Sequence, residues 1–355
     1  MRMKSVLLAA IAAVAIPVVS ASAATLYTEN FDTDQTANWT FASSIAGDTA
    51  NNNTGGEANV FFNYGSVGIP SAPHSIGGTT TGLKMEANVP GTATFSGMSM
   101  SPNGVSINGN FTMTFDAWQN ANGPFPAGGS GSTQMTIGGY GSNGTTVQFP
   151  GGPIQDSVYF GATAEGGSGV DYRAYLGNGG YTGTPPSGNV PLGSTQPDTQ
   201  VNPDGSPVYA AGAVTGSTNN SNSYYTGAFP AHGAPQAQKD LFAQQTGNTA
   251  AGALGMTWRE WEIQRINNVL TWKVDGKLIA TVDTTQDAEF SFSGSDIFFG
   301  QFDINATSST DTNARNLLFG LVDNVVVTDA VPEPASLSLL GLGGLAVMGR
   351  RRRRA

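Results

Sequence analysis

Apolar and polar residues alternate along several short segments of this chain. Phe111, Met113 and Phe115 are apolar, whereas the residues between them are threonines. A period of two residues predicts a β-strand with one face buried and the other in water. Short segments bounded by Gly, Pro or Asn predict further strands over Thr25–Asp32, Leu83–Val89, Thr92–Phe95, Phe111–Trp118, Thr133–Ile137, Ser157–Gly161 and Val170–Leu176.

The clearest pattern predicts a three-stranded meander between residues 258 and 283. Leu270–Val274 alternates, Asp275-Gly276 supplies the two residues of a type I′ turn, and Lys277–Val282 runs back. Asn267-Asn268 offers a second tight turn, because asparagine tolerates the left-handed backbone. Trp258–Ile266 is therefore predicted to pair in front of that turn.

Composition favours an all-β fold with many turns. Of 355 residues, 48 are glycine and 11% are charged, which suits short strands and disfavours long helices. There is no cysteine, so the fold depends on its hydrophobic core and not on disulfides. Residues 177–238 are dominated by Gly, Pro, Ser, Thr and Asn, which indicates a long loop-rich insertion. A short helix is predicted around Pro235–Gln245.

Aromatic residues allow two interpretations. The tryptophans of the meander are predicted to be core residues in preference to a platform for sugars; they are Trp258, Trp261 and Trp272. Tyrosines in the insertion either pin the loops to the domain or form a ligand site against which sugar rings stack. The candidate ligand-binding residues are Tyr181, Tyr224 and Tyr225.

The charge distribution excludes nucleic acid as an expected partner. The net charge is −10, and seven of the fifteen Lys and Arg residues lie within the first four and last six positions. The remaining body is therefore strongly acidic. Such a surface repels polyanions unless a divalent cation bridges the two.

The N-terminus predicts a secretory leader over residues 1–23. Arg2 and Lys4 precede an apolar run from Val6 to Val19, and Ala21-Ser22-Ala23 is a small-x-small cleavage pattern for signal peptidase. The alternative is an N-terminal membrane anchor. The short apolar run followed at once by small residues disfavours that alternative.

The C-terminus, residues 331–355, has three parts in a fixed order. A Pro-Glu-Pro motif is followed by an apolar segment, 335–349, which suits a transient membrane anchor, and then by arginines that favour the cytoplasmic side. The motif residues are Val331, Pro332, Glu333, Pro334, Arg350, Arg351, Arg352, Arg353 and Arg354.

This tail resembles the PEP-CTERM sorting signal of Gram-negative bacteria. The resemblance implies exosortase as a partner, removal of the tail, and localisation to the cell envelope, outer surface or extracellular matrix. The alternative is a C-terminal anchor that is never cut.

The body, residues 24–330, resembles laminin G-like and concanavalin A-like domains. The resemblance lies in the meander and in the closing segments Ile297–Gly300 and Phe319–Val327. It implies a two-sheet antiparallel jelly-roll sandwich with long Gly/Ser/Asn-rich loops, often with a glycan-binding concave face and sometimes a calcium ion at its edge.

No catalytic constellation is evident. His74 and His232 are the only histidines, and no Gly-x-Ser-x-Gly motif provides a nucleophile for them. Glu260 and Glu262 have the alternate spacing of a retaining glycosidase pair. They lack the Glu-x-Asp-x-x-Glu context of laminarinases, so two glutamates on a wet strand face are the favoured interpretation.

Calcium is the one cofactor that the sequence suggests. Hard cations bind clustered oxygen ligands, and the first and last strands of such sandwiches are often neighbours. Asp323 is predicted on the same face as Leu321, Val325 and Val327, where a carboxylate needs a metal or several hydrogen-bond donors. The candidate ligands are Glu29, Asp32 and Asp323, with Asp303, Asn305 and Asp311 in the preceding loop.

These observations predict an exported protein that binds or organises extracellular polysaccharide without turnover. A glycoside hydrolase or polysaccharide lyase on the same fold is the alternative, and a structural matrix protein without a ligand is the second. Fold class by itself does not separate the three.

Overall fold

The structure is a computed structural model. It describes residues 23–50, 55–88, 96–126, 134–149, 157–166, 171–177, 189–191, 220–221, 223–286, 290–303 and 312–330. Residues 24–330 form one compact unit. The predicted strand Thr92–Phe95, Tyr181, Asn305 and Asp311 lie outside the described residues, as do residues 1–22 of the leader and the sorting tail.

Two antiparallel sheets make up the domain. The strands are β1 (Thr25–Glu29), β2 (Trp39–Ser43), β3 (Gly56–Asn63), β4 (Thr81–Ala87), β5 (Gly97–Pro102), β6 (Phe111–Asn120), β7 (Gln134–Ser142), β8 (Val158–Thr163), β9 (Tyr172–Gly177), β10 (Asn189–Pro191), β11 (Trp258–Ile266), β12 (Val269–Val274), β13 (Lys277–Asp283), β14 (Asp296–Asp303) and β15 (Phe319–Asp329). The α-helices are α1 (Ser223–Thr226), α2 (Gln236–Leu241) and α3 (Ala314–Leu317).

The first sheet has the order β13-β12-β11-β6-β15-β4-β3, and β1 also pairs with β15. The second sheet has the order β10-β9-β8-β7-β14-β5-β2. Seven of the thirteen neighbouring pairs join strands that are not consecutive in the chain, as in the Greek keys of jelly rolls, and the other six join consecutive strands. The predicted two-sheet antiparallel jelly-roll sandwich is confirmed.

The meander forms as predicted. β11 pairs with β12, and β12 pairs with β13. Asp275 and Gly276 have φ angles of 49° and 74°, as a type I′ turn requires, and Asn267 has a φ of 54°. Helix α2 lies within the helix predicted around Pro235–Gln245.

Several strands escaped the sequence pattern. β2, β3 and β5 were not predicted, and β10 lies inside the stretch interpreted as loop. All six residues of β5 are buried, including its serines. Met98 and Met100 do alternate with Ser99 and Ser101, so β5 carried a strand signal that the prediction did not use.

The main core fills the space between the sheets. Phe111, Met113 and Phe115 of β6 pack there with residues of the second sheet such as Phe160 and Phe299. Trp261 and Trp272 lie in the same core with no exposed surface, as predicted, and their ring centroids are 4.7 Å apart.

The opposite face of the first sheet, called the outer face here, carries the alternate residues of β6, namely Thr112, Thr114, Asp116 and Trp118. A second, smaller core covers one end of this face. It contains Tyr64, Ile69, Trp118, Met256 and Leu321, with Trp258 packed at its edge. Thr112 and Thr114, which lie on the rest of the outer face, are partly exposed.

A one-residue irregularity in β15 corrects one prediction. Register with β6 shifts between Asp323 and Val326, and Asn324 adopts a φ of 52°. Because of this bulge, Val325 and Val327 face the main core, whereas Asp323 faces outward with Leu321. The predicted shared face of Asp323, Val325 and Val327 was therefore wrong.

Candidate functional site

Three acidic residues lie side by side on the outer face. Asp116 in β6 is opposite Glu260 in β11 on one side and opposite Asp323 in β15 on the other. Asp116 and Asp323 are buried, whereas the Glu260 side chain is 44% exposed. The cross-strand register creates a row of carboxylates at the border of the small core.

A connection between β3 and β4 covers part of this row. Residues 64–79, called the covering segment here, run from Tyr64 over the outer face. The indole N–H of Trp258 donates to the carbonyl of Pro70 at 2.7 Å. Gly68 permits the path, because its φ is 79° and a side chain there would collide with the backbone of Gln238. The segment thereby brings His74 over Asp116.

His74 is held firmly by Asp116. Its Nδ1 lies 2.8 Å from Asp116 Oδ1, and its backbone N–H donates to Asp116 Oδ2 at 3.1 Å. Asn324 Nδ2 donates to Oδ2 as well, at 2.9 Å. The hydrogen bond to Asp116 raises the pKa of His74. This fixed imidazole presents Nε2 at 3.5 Å from Glu260 Oε2.

Asp323 is satisfied by protein donors. Its Oδ2 accepts hydrogen bonds from the hydroxyls of Tyr64 and Ser75 at 2.9 and 3.0 Å, and its Oδ1 accepts one from the backbone of Asn324 at 2.8 Å. Burial nevertheless raises the pKa of Asp323 to about 7, and neighbouring Asp116 contributes in the same direction.

A cavity of about 700 Å³ opens beside His74 and Glu260. Backbone and side chains from five parts of the chain line it. The lining residues are Thr28, Glu29, Asn30, Thr33, Gln35, His74, Ile76, Thr114, Phe115, Glu260, Asn324, Val325 and Val326. The set is rich in carboxylate, amide and hydroxyl groups and contains no Lys or Arg.

The two histidines provide a direct test of this geometry. His74 is expected to titrate above 6.5, whereas burial and nearby Arg259 lower the pKa of His232 below that value. Proton NMR should show two separate imidazole titrations, one on each side of 6.5. Replacing Asp116 by asparagine should lower the His74 midpoint and leave His232 unchanged. A His74 midpoint at or below 6.5 in the native chain would contradict the contact.

The candidate calcium ligands do not share one cluster. Glu29 lines the cavity and accepts a hydrogen bond from the backbone of Phe31, while Asp32 accepts one from Asn30 Nδ2. The Asp323 carboxylate accepts hydrogen bonds from Tyr64, Ser75 and Asn324 beneath the covering segment. In the part of the chain that the structure describes, no group of three His, Cys, Asp or Glu residues is arranged to hold a metal ion. Asn305 and Asp311 lie outside those residues, and the calcium site stays a prediction.

Asp303, another candidate, lies apart from these three. Asp303 is fully buried in β14, and its carboxylate accepts a hydrogen bond from Asn88 Nδ2. This contact supplies the buried carboxylate with a hydrogen-bond donor.

The two described candidate tyrosines lie in packing contacts. Tyr225 is 1% exposed and stacks on Tyr172 at 4.1 Å between ring centroids, so neither ring face is open to a sugar. Tyr224 donates to the carbonyl of Leu278 at 2.7 Å, and the Lys277 ammonium lies over its ring. Their positions favour the packing interpretation.

Glu260 and Glu262 share the outer face but differ in their contacts. Glu262 Oε1 lies 2.7 Å from the ammonium of Lys273, so it belongs to an ion pair. Glu260 instead faces His74 and the cavity. Glu260 and Glu262 therefore have different environments, although their spacing in the sequence makes them look equivalent.

Sequence reasoning missed the most important pair of the site. His74 was set aside as an isolated histidine, and Asp116 was not singled out. Asp116 does follow Thr112 and Thr114 on the polar face of a predicted strand, which is a usable signal. His74 and Asp116 are 42 residues apart in the sequence, so no local pattern predicts their contact.

Among the described residues no helix is long and apolar enough to cross a membrane. The apolar segment of the sorting tail, 335–349, is not among them.

Comparisons with solved structures return β-sandwich proteins of low similarity. A laminarinase from Flavobacterium sp. UMI-01 is 11% identical, with a TM-score of 0.42, over 86% of this chain and 100% of the other. A Bacillus subtilis protein of unknown function with a galectin-like fold is 8% identical, with a TM-score of 0.39, over 87% and 98%. The Emp47p carbohydrate recognition domain is 11% identical, with a TM-score of 0.35, over 83% and 96%. These values support no functional transfer.

Sequence comparison is informative at the C-terminus. No curated protein matches the chain. Residues 330–354, however, match the PEP-CTERM protein-sorting motif. The predicted sorting signal is confirmed: the chain ends in a PEP-CTERM motif, which marks an exported protein that is sorted by exosortase.

Proposed function

We propose that the exported domain binds a hydroxyl-rich polysaccharide in the cavity beside His74 and Glu260, without cleaving it. The supporting observation is the lining itself, which combines carboxylates, amides and hydroxyls on an accessible sheet face. Such groups accept and donate hydrogen bonds to sugar hydroxyls, and concave sites with a few placed polar groups are typical ligand sites.

The charge of the site limits the kind of polysaccharide. Glu29 and Glu260 line the cavity, and Asp116 lies beneath His74. Because no Lys or Arg lines the cavity and the body is acidic, polyanionic chains are disfavoured. The proposed ligand is therefore neutral or amine-bearing, and it belongs to the extracellular matrix or outer surface to which a sorted protein of a Gram-negative bacterium is delivered.

Binding is tested with the purified chain on laminarin, dextran, chitosan and alginate, with calcium and with a chelator. Retention on a neutral or amine-bearing polymer without release of reducing sugar is the expected result. Loss of retention in chelator would support the predicted calcium ion. Absence of binding to every polymer would overturn the proposal and favour a structural role.

Glu260→Gln and Glu262→Gln form a matched pair for locating the site. Both lie on the same face of β11, but only Glu260 lines the cavity. Glu260→Gln should weaken binding about tenfold, as expected when a hydrogen bond to a charged group is lost. Glu262→Gln should leave binding unchanged. Equal effects in titration calorimetry would place the ligand elsewhere.

Hydrolysis is the second candidate, because His74 and Glu260 are two proton-transfer groups side by side in the cavity. Release of reducing sugar in the same assay, abolished by Glu260→Gln and retained in Glu262→Gln, would replace binding by hydrolysis as the function.

A further inference from the structure

The end of the covering segment is attached to the domain mainly by polar contacts. Residues 73–78, called the tip here, follow a base at which the Ser71 hydroxyl donates to the carbonyl of Thr79 at 2.8 Å. All residues of the tip except Ser75 are exposed, and the surface of Ile76 is 84% exposed. Burial of apolar surface therefore contributes little to the position of the tip.

His74 makes the ionic contacts of the tip. Its Nδ1 and its backbone N–H bond to Asp116 of β6, and its Nε2 faces Glu260 of β11 at 3.5 Å. Ser75 adds a hydrogen bond to Asp323 at 3.0 Å. The imidazole, 57% exposed, therefore bridges the carboxylates of two neighbouring strands.

Only the protonated imidazole suits both carboxylates. A neutral imidazole has one N–H, so one of its two nitrogens presents a lone pair to a carboxylate, whereas the imidazolium donates from both. The hydrogen bond to Asp116, together with the charges of Asp116 and Glu260, raises the pKa of His74 above 6.5. The docked tip is therefore most favoured below pH 6.5, and it loses that advantage as the pH rises through the raised value.

The groups around His74 offer no replacement for this proton. The other titratable groups around the tip and the cavity are acids, namely Asp116 of β6, Glu260 of β11, Asp323 of β15, Glu29 of β1 and Tyr64 of the segment itself. Tyr64 stays neutral, because burial raises its pKa. No Lys or Arg is among the described residues that line the cavity. Once His74 is neutral, the carboxylates beneath the tip face no cation from it.

We propose that the tip is a gate of the cavity, docked while His74 is protonated and released when His74 is neutral. His74 and Ile76 line the cavity, so release removes one of its walls and gives access to Asp116. Gly77 and Gly78 supply the link that changes conformation, because both have positive φ and open space where a side chain would stand.

Hydrogen exchange at the His74 amide measures docking, because this N–H donates to Asp116 in the docked tip. The purified chain is studied without polysaccharide between pH 5 and pH 8, and each rate is compared with that of an unstructured peptide at the same pH. Protection of His74 should fall by at most about tenfold per pH unit as His74 loses its proton. Protection of the Tyr64 amide, bonded to Thr80 at the base of the segment, should stay constant. Constant protection of His74, or a parallel loss at Tyr64, would overturn the gate.

Three variants assign the response to one proton. His74→Gln keeps a donor for Asp116 but carries no charge, so protection at residue 74 should be low and independent of pH. His232→Gln is the matched control, because His232 does not line the cavity, and it should keep the native response. Asp323→Asn should also keep it, which excludes the buried carboxylate as its source. A native response in His74→Gln, or its loss in either of the other two variants, would overturn the gate and leave the proposed binding of polysaccharide intact.

Discussion

The ionisation of Asp323 is expected to cost the native chain about 3 kcal/mol of folding stability between pH 5 and pH 8. Replacing Asp323 by asparagine is expected to abolish this loss. The pKa of Asp323 is raised from 3.8 to about 7 by burial. A raised pKa contributes stability at low pH that is lost as the pH rises towards the folded-state value. About two pH units of that loss lie above pH 5, at about 1.4 kcal/mol each. Asparagine stays neutral, and its amide can still pair with Tyr64 and Ser75.

Denaturant unfolding followed by tryptophan fluorescence at the two pH values measures this difference. Asp34→Asn is the control, because Asp34 is exposed and its hydrogen bonds to Thr36 lower its pKa. A carboxylate that is already ionised at pH 5 contributes no change above it. An Asp323→Asn variant with the same pH dependence as the native chain would show that Asp323 is ionised throughout this range.

Trp272→Ala is expected to cost about 3 to 5 kcal/mol of folding stability, as large-to-small changes in cores do. Trp272 has no exposed surface. It packs against Trp261 and stacks on Phe160, whose ring centroid is 5.7 Å away. Removing the indole leaves a cavity in the middle of the main core. Reversible unfolding in denaturant gives the loss.

Trp272→Phe separates the indole N–H from the volume of the ring. Among the described residues no protein group pairs with Nε1 of Trp272, so replacing the indole by a phenyl ring breaks no hydrogen bond to another protein group. Phenylalanine removes that donor and keeps most of the ring, and its loss should be less than half that of alanine. Equal losses for the two variants would indicate that the N–H is paired in solution.

The tryptophans also show how far pattern alone reaches. Trp261 and Trp272 were assigned to the core because they alternate with polar residues, and both are fully buried. Trp258 was also predicted to be a core residue, but the structure places it differently. It begins β11, the strand that contains Trp261, and it lies on the outer face, where it is partly buried under the covering segment. A period of two residues shows which side chains share one face of a strand. Whether that face is exposed to water depends on the segment that packs against it, here the covering segment.

The acidic residues show the complementary limit. Glu260 and Glu262 are equivalent by spacing, but one meets His74 and the other meets Lys273. Asp323 was recognised as a carboxylate that needs partners. The donors that it meets, Tyr64 and Ser75, are 259 and 248 residues away in sequence. No local pattern contains such pairings, because they depend on which strands become neighbours.

The sequence by itself determined the export signal at the C-terminus, the meander and the all-β class. These depend on local order: a motif, an alternation of period two, and turn residues that accept a positive φ. The tertiary structure decided the rest: the register that aligns Glu260, Asp116 and Asp323, the bulge at Asn324, and the covering segment that places His74 at the cavity. These features depend on strands that become neighbours although they are distant in sequence, namely β6 with β11 and β15, and that pairing follows from the packing of the whole core.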